Sequence, residues 1–183
     1  RAKDKQLSAL ERHSINFIDH APFMTLSTYA ASGALDCSPR GGLPGFVKVV
    51  NENCIIIPDS KGNNRLDSLV NIIETKQVGC LFLIPGVDET LRINGRGRIS
   101  TSTAHLKQFS HHKNPPKACI EIRIKEVFLH CAKALMRSKL WSADAKLERS
   151  KFPTIATMLN DQLCLSEPPE SQATMVARYQ QDL

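Results

Sequence analysis

Between Thr90 and Thr101 the chain alternates almost without a break. Leu91, Ile93, Gly95, Gly97 and Ile99 are interleaved with Arg92, Asn94, Arg96, Arg98 and Ser100. Successive side chains of a strand point to opposite faces, so this spacing predicts one strand with an apolar face and a cationic face. The segment CIEIRIKEVFL repeats the alternation through Ile120, Ile122 and Ile124. Shorter strand-like runs precede these two: FMTLSTYA, ALDCSP, FVKVV, the almost wholly apolar NCIIIPD, and VGCLFLI. Ser32-Gly33 reads as a turn, and Arg40-Gly41-Gly42-Leu43-Pro44-Gly45 as a loop between strands. Strands in succession, joined by short glycine-containing turns, predict an antiparallel barrel rather than alternating strand–helix units. The expected fold class is mainly β with peripheral helices.

Two helices interrupt the strands. Leu7, Leu10, Ser14, Phe17 and Ile18 share one helical face, Ser8-x-x-Glu11 resembles a capping box, and Pro22 ends the helix. Leu66, Leu69, Val70 and Ile73 follow the i, i+3, i+4, i+7 spacing of a short amphipathic helix, whose apolar face is expected to be buried. The tail from Ala132 to Leu183 is more helical. Glu167-Pro168-Pro169-Glu170 breaks it before a last helix that holds Met175, Val176 and Tyr179. The expected organisation is one domain over residues 1–145, with a helical extension over 146–183 packed on that same domain. Trp141 reads as core packing for the terminal helix.

Composition narrows the function. The 183 residues, 42% of them hydrophobic, suffice for a sizeable core without disulfide or metal staples. No apolar run approaches the roughly 18 residues of a membrane span, and the first residues lack the apolar centre of a signal peptide. A cytoplasmic protein without membrane association is expected. The net charge of +6 is spread out, and aromatic residues make up only 5%. A nucleic-acid surface would cluster its cations or interleave them with stacking rings, so no nucleic-acid partner is expected. Six cysteines form no C-x-x-C pair. Cys54, Cys80 and Cys119 lie in apolar runs and read as buried reduced thiols. His105 and His112 fall on one helix face near His111, but no Cys or carboxylate lies close in sequence to complete a shell, so no metal site is expected.

The stretch IIIPDSKGNNRLDSLVNI carries the clearest chemical signal. A buried strand ends at Pro58-Asp59, the polar loop Ser60-Lys61-Gly62-Asn63-Asn64 follows, and Arg65 opens the helix. Free N–H groups at a helix start, beside Arg and Lys, suit a phosphate. Asn63 or Asn64 is equally a natural N-cap. There is no Walker loop and no G-x-G-x-x-G. Two further cationic elements could converge on the same ligand: Arg40 with Gly41, and the Arg92/Asn94/Arg96 face.

SPRGG–GFVKV, IIPDSKGNNRLDSL, VGCLFLIPGVDETLRINGRGRIS and EVFLHCAKALMRSKLW, in this order, resemble the pyridoxamine 5'-phosphate oxidase-like FMN-binding proteins. More closely, they resemble the FMN-binding subgroup that carries the GNNRLDSL signature. The resemblance spans roughly residues 15 to 145. It implies a split β-barrel and a homodimer with FMN at the interface, touched by both subunits. The oxidase's phosphate-binding strand Arg-x-Val-Leu-x-Lys meets Gly45 and Val50 at its two charged positions, so Arg40 and Lys48 are the nearby replacements. Its Ser-Arg-Lys helix start falls on Gly62-Asn63-Asn64-Arg65, which makes Arg65 the foremost phosphate ligand. Its flavin-contacting Gln falls on Thr90, an aromatic on His130, and a later Arg at or near Arg137. Lys133, Arg137 or Arg92 would supply positive charge to the flavin. The backbone around Val47-Lys48 or Pro58-Asp59 would meet the ring edge. His130 by itself reads as a buried histidine with its hydrogen bonds satisfied.

The oxidase's substrate-binding Arg and His pattern is not recognisable in this chain. The functional expectation is an FMN-dependent oxidoreductase acting on a small molecule, without a named catalytic side chain because the flavin carries the chemistry. The alternative is a flavin carrier or redox-sensing module without turnover. Haem binding or degradation is a third possibility within the same superfold.

Overall fold

The computed structural model describes residues 5–60, 62 and 65–181. Two compact units make up the chain, Arg1–Trp141 and Ser142–Leu183. The first is built on seven strands: β1 (Phe23–Tyr29), β2 (Leu35–Gly41), β3 (Lys48–Asn51), β4 (Cys54–Pro58), β5 (Gln77–Leu83), β6 (Thr90–Ser100) and β7 (Cys119–His130). They form one sheet in the order β2-β1-β5-β6-β7-β4-β3, with every neighbouring pair antiparallel. β6 and β7 are the long central pair that the alternation predicted. Ile55, Ile57, Phe82, Leu91, Ile93 and Ile122 are fully buried on the inner face. This is the mainly β architecture of a split barrel, with helices at its edges.

One irregularity matters for the site. Asn94 pairs with Glu126 while Gly95 pairs with Ile124, so Lys125 is an extra residue in β7. Such a bulge resets the alternation, and the inward position moves from Ile124 to Val127. A side chain at Gly95 would collide with the Arg123 carbonyl, so the bulge requires a glycine opposite it.

The first helix, α1 (Arg12–His20), begins later than the capping-box reading predicted. Glu11 is the N-cap. Its carboxylate accepts from the backbone N–H groups of His13 at 2.8 Å and Ser14 at 2.7 Å, while Ser14 Oγ accepts from the Glu11 N–H at 2.9 Å. The box is therefore Glu11-to-Ser14, not Ser8-to-Glu11. Leu7 is drawn out of the helix because its backbone pairs with Val127, where β7 runs on beyond β4. Leu10, Phe17 and Ile18 enter the core as expected.

The helix α2 (Asp67–Thr75) buries only part of its predicted apolar face. Leu66, Val70 and Ile73 are 56%, 46% and 66% exposed, whereas Ser68, Asn71 and Ile72 are buried. Ile72 is fully buried and Leu69 packs against the core, while Ser68 and Asn71 turn toward Thr28 of β1 and the polar inward positions of β2, so the buried face of the helix is part apolar and part polar.

Between β6 and β7, α3 (Thr103–Leu106) and a following turn place Phe109 over Ile56 and Cys119 as a second small core on the outer face of β4 and β7. After β7 comes the short α4 (Lys133–Ser138), and Trp141 then donates from Nε1 to the Val87 carbonyl at 2.9 Å. In the second unit, α5 (Ile155–Leu163) and α6 (Gln172–Gln180) are capped by the Thr154 and Ser171 side chains. The Arg149 guanidinium ties that unit together, donating to the Phe152 and Pro153 carbonyls and to Gln172 Oε1. Among the described residues no helix is long and apolar enough to cross a membrane.

Candidate functional site

Arg40 and Gly41 are the last residues of β2 rather than a loop. The inward positions of β2 are Asp36, Ser38 and Arg40, and all three are half-buried. Arg40 shares its cross-strand row with Met24, Phe82 and Leu91, all buried. Its guanidinium donates from Nη1 to the Pro39 carbonyl at 2.8 Å and from Nη2 to Ser68 Oγ at 3.1 Å. Ser68 stands in the first turn of α2, so the structure brings Arg40 to a helix start. Asp59, just past the end of β4, is close enough to feel it. Partial burial pushes the Asp59 carboxyl up, and the Arg40 charge opposes that rise. Arg40 similarly opposes the desolvation that pushes the buried Cys80 thiol up to about 12.

The other sequence-predicted phosphate residues are placed less uniformly. Lys61, Asn63 and Asn64 lie outside the described residues, while Pro58 is buried at the end of β4 and Ser60 is exposed. The N-cap of α2 is Leu66, not an asparagine, and it offers no side-chain cap. Arg65 precedes the helix and does not open it. It is 75% exposed and grips Asp67 Oδ2 from Nε at 2.9 Å and Nη2 at 2.7 Å. Val47 is 1% exposed in the inner core. Lys48 therefore projects from the opposite face, in the row of Ile56, where its charge helps to hold the His112 ring below its ordinary value after burial and His111. The structure does not bring Lys48 and Arg40 together.

Arg92 lies on the outer face, in the row Pro39–Thr25–Leu81–Arg92–Phe128. Its guanidinium carbon is 5.1 Å from the Phe128 ring centroid, and its Nε is buried without a hydrogen-bond partner. His130 stands edge-on to Phe128, with ring centroids 5.0 Å apart. Burial first, and then the Arg92 charge, hold the His130 ring below its ordinary value. His130 is half-buried rather than sealed in a core. Thr90 pairs with His130, and α4 follows directly, so exposed Lys133 and Arg137 leave the sheet at this end. This outer face also carries exposed Phe23, Tyr29 and Leu35, and between its strands runs an open groove of ≈ 420 Å³.

The opposite end of the β6–β7 ladder is closed. Arg98 Nη2 lies 2.7 Å from Oε2 of Glu121, which is 3% exposed. His105 Nδ1 lies 3.6 Å from the same carboxylate and 3.0 Å from Ser100 Oγ. Asn94, between the two ends, donates to Glu126 Oε2 at 2.9 Å. Part of the cationic face is thus paired with acids of β7, and among the described residues Arg92 and Arg96 are not. His111 and His112 stack edge to face, and among the described residues no group of metal-ligating side chains gathers. All six cysteines are free, with Cys54, Cys80 and Cys119 buried as expected.

Four residues of these clusters escaped the sequence reading: Asp36, Ser68, Phe128 and Glu121. A signal existed for two of them. Polar residues at every second position of β2 face polar residues at i and i+3 of α2, which is the pattern of a polar contact inside a fold.

The model of the pyridoxamine 5'-phosphate oxidase family matches residues 10–131, and the chain belongs to that family. Among solved structures, HupZ of Group A Streptococcus aligns with a TM-score of 0.55 and 16% identity over 66% of this chain and 93% of its own. Rv2991 of Mycobacterium tuberculosis aligns with a TM-score of 0.50 and 13% identity over 70% of this chain and 89% of its own. HutZ, the haem storage protein of Vibrio cholerae, gives 0.44 and 13% over 66% and 93%. At these identities the likeness concerns the fold. No curated protein matches.

Proposed function

We propose that the chain is an FMN-binding homodimer and an FMN-dependent oxidoreductase for a small molecule. The observation that carries this reading is the division of its two cationic groups. Arg40 and the start of α2 lie on the inner face of the sheet, and Arg92, with an orphaned Nε over Phe128, lies on the outer face. A single ligand that meets both needs the inner-face edge of one copy and the outer face of another. The exposed Phe23, Tyr29 and Leu35 give that outer face an apolar surface to bury on association.

The residues fit the group. Arg40, the N–H groups at the start of α2 and Arg65 would hold the terminal phosphate. Arg92 would set its unused donor against the electron-rich edge of the ring system, beside Phe128, with Thr90, Lys133 and Arg137 at the same end. FMN supplies hydride and electron transfer when bound. The chain's own part is to neutralise the phosphate, fix the ring and place positive charge beside it. Loss of the Arg40 donor leaves the phosphate under-neutralised by about 1.5–3 kcal/mol, roughly ten- to hundredfold in affinity.

Calorimetric titration with FMN, FAD and riboflavin tests the reading. FMN should bind tightest, and Arg40→Ala should weaken FMN while leaving riboflavin unchanged. Arg65→Ala should follow in the same direction with a smaller effect, because its guanidinium already grips Asp67. Equal FAD affinity, or an Arg40→Ala protein that binds FMN like the parent, contradicts it. Light scattering checks the dimer, and a stable monomer at micromolar concentration removes the shared site. Anaerobic reduction of the bound flavin by NADH or NADPH separates an enzyme from a carrier.

A further inference from the structure

A helix resting on the inner face of a sheet ordinarily buries its apolar stripe. Beside Leu69 and Ile72, α2 buries Ser68 and Asn71, 5% and 6% exposed, and leaves Leu66, Val70 and Ile73 outside. Burying polar groups costs stability unless each finds a partner, and here each does. Asn71 Nδ2 donates to Thr28 Oγ1 at 3.0 Å, and Thr28 Oγ1 donates to Asp36 Oδ2 at 3.3 Å. Ser68 Oγ donates to the same Asp36 oxygen at 2.6 Å. Ser38 Oγ lies 3.1 Å from Ser68 Oγ, and Arg40 Nη2 lies 3.1 Å from it.

Proton counting fixes the direction of every bond. A serine hydroxyl has a single proton, and the short contact to a carboxylate takes it. Ser68 Oγ must then accept from both Ser38 and Arg40. The hydroxyl is locked as an acceptor for the guanidinium, with the Asp36 charge behind it. Among the described residues Arg40 makes no direct ion pair, so its charge is oriented without being cancelled at close range.

We propose that Ser68, locked by Asp36, is a positioning residue that presents Arg40 to the phosphate of the bound ligand, and that the polar positions on the buried face of α2 exist to carry this relay. The inference rests on the FMN reading above. Without the Ser68 oxygen, Arg40 loses its anchor at the helix start and is free to turn toward Asp36.

The test is a double-mutant cycle read by calorimetric titration with FMN and riboflavin. Arg40→Ala should weaken FMN about ten- to hundredfold. Ser68→Ala should weaken FMN about three- to tenfold, the worth of one ordinary hydrogen bond, with riboflavin unchanged. Ser68→Thr, which keeps the hydroxyl, should restore parent affinity. In the Arg40→Ala background, Ser68→Ala should change nothing further. Should Ser68→Ala fail to fold, Ser68→Cys carries the same expectation, since a thiol of similar size is a poor acceptor. If the serine change weakens riboflavin equally, or weakens FMN just as much without Arg40, or leaves FMN untouched while Arg40→Ala weakens it, the positioning role is overturned and the phosphate site stands. If Arg40→Ala leaves FMN affinity unchanged, the site itself is wrong and the relay falls with it.

Discussion

Arg92 and Arg98 lie on the same strand and the same face, yet they live in opposite circumstances. Arg98 is mostly exposed but anchored on the buried Glu121, whose carboxylate His105 also approaches, next to the small core of Phe109 and Ile56. Arg92 is more enclosed and, among the described residues, meets no acid, only the face of Phe128, with its Nε left without a partner. A buried donor without a partner costs on the order of 1–3 kcal/mol, so a fold that keeps one is arranged for something other than its own stability. The closed end of the ladder holds the fold together, and the open end is where we propose that a ligand and a second copy bind.

The largest effect expected from this contrast is at the closed end. Phe109→Ala should cost about 3–5 kcal/mol of unfolding free energy, measured by urea titration, and should leave FMN affinity near that of the parent. A large loss of FMN binding in a folded Phe109→Ala protein would show that the two ends are not separate.

Next comes the open end. Arg92→Met should weaken FMN and riboflavin together by about tenfold, roughly 1.4 kcal/mol, because this arginine addresses the ring and not the phosphate. Its thermal stability without flavin should not fall, since the change removes an orphaned donor. Arg98→Met should do the reverse, lowering the melting temperature by a few degrees and leaving both affinities alone. If the two substitutions behave alike, the contrast fails.

The smallest effect is a pH dependence. Burial and Arg92 hold His130 below its ordinary value, so the unfolded chain binds this proton more readily than the folded one. Stability from this group is complete above the unfolded value of about 6.5 and declines as the pH falls through the lowered folded value. Melting temperatures from pH 8 to 5 should fall less steeply in His130→Gln than in the parent. In Arg92→Met the His130 titration, followed by NMR, should move back toward its ordinary value.

Much of this was legible in the residues. Alternation through Leu91–Ile99 and Ile120–Ile124 gave the central pair, and the wholly apolar NCIIIPD gave the buried β4. The bulge was not legible, because one extra lysine in an alternating run looks like a change of phase. The period of α2 does not give its full buried face, for a physical reason: periodicity says which residues share a stripe, while burial depends on what the neighbouring strand presents. Asp36, Ser38 and Arg40 favour burial of Ser68 beside Leu69 and Ile72. Arg40 and Arg92 were both singled out as cations, but only the strand register places them on opposite faces. Arg98 and Glu121 lie too far apart in sequence for their pairing to be read from either segment.

The central claim is a flavin held by its phosphate, and the most direct measurement is the visible spectrum of the purified protein combined with titration by FMN and riboflavin. The account predicts a flavin spectrum with FMN, saturation by FMN, and riboflavin affinity lower by about ten- to hundredfold, a gap that Arg40→Ala closes. A haem spectrum without flavin uptake, or equal affinity for FMN and riboflavin, would contradict it.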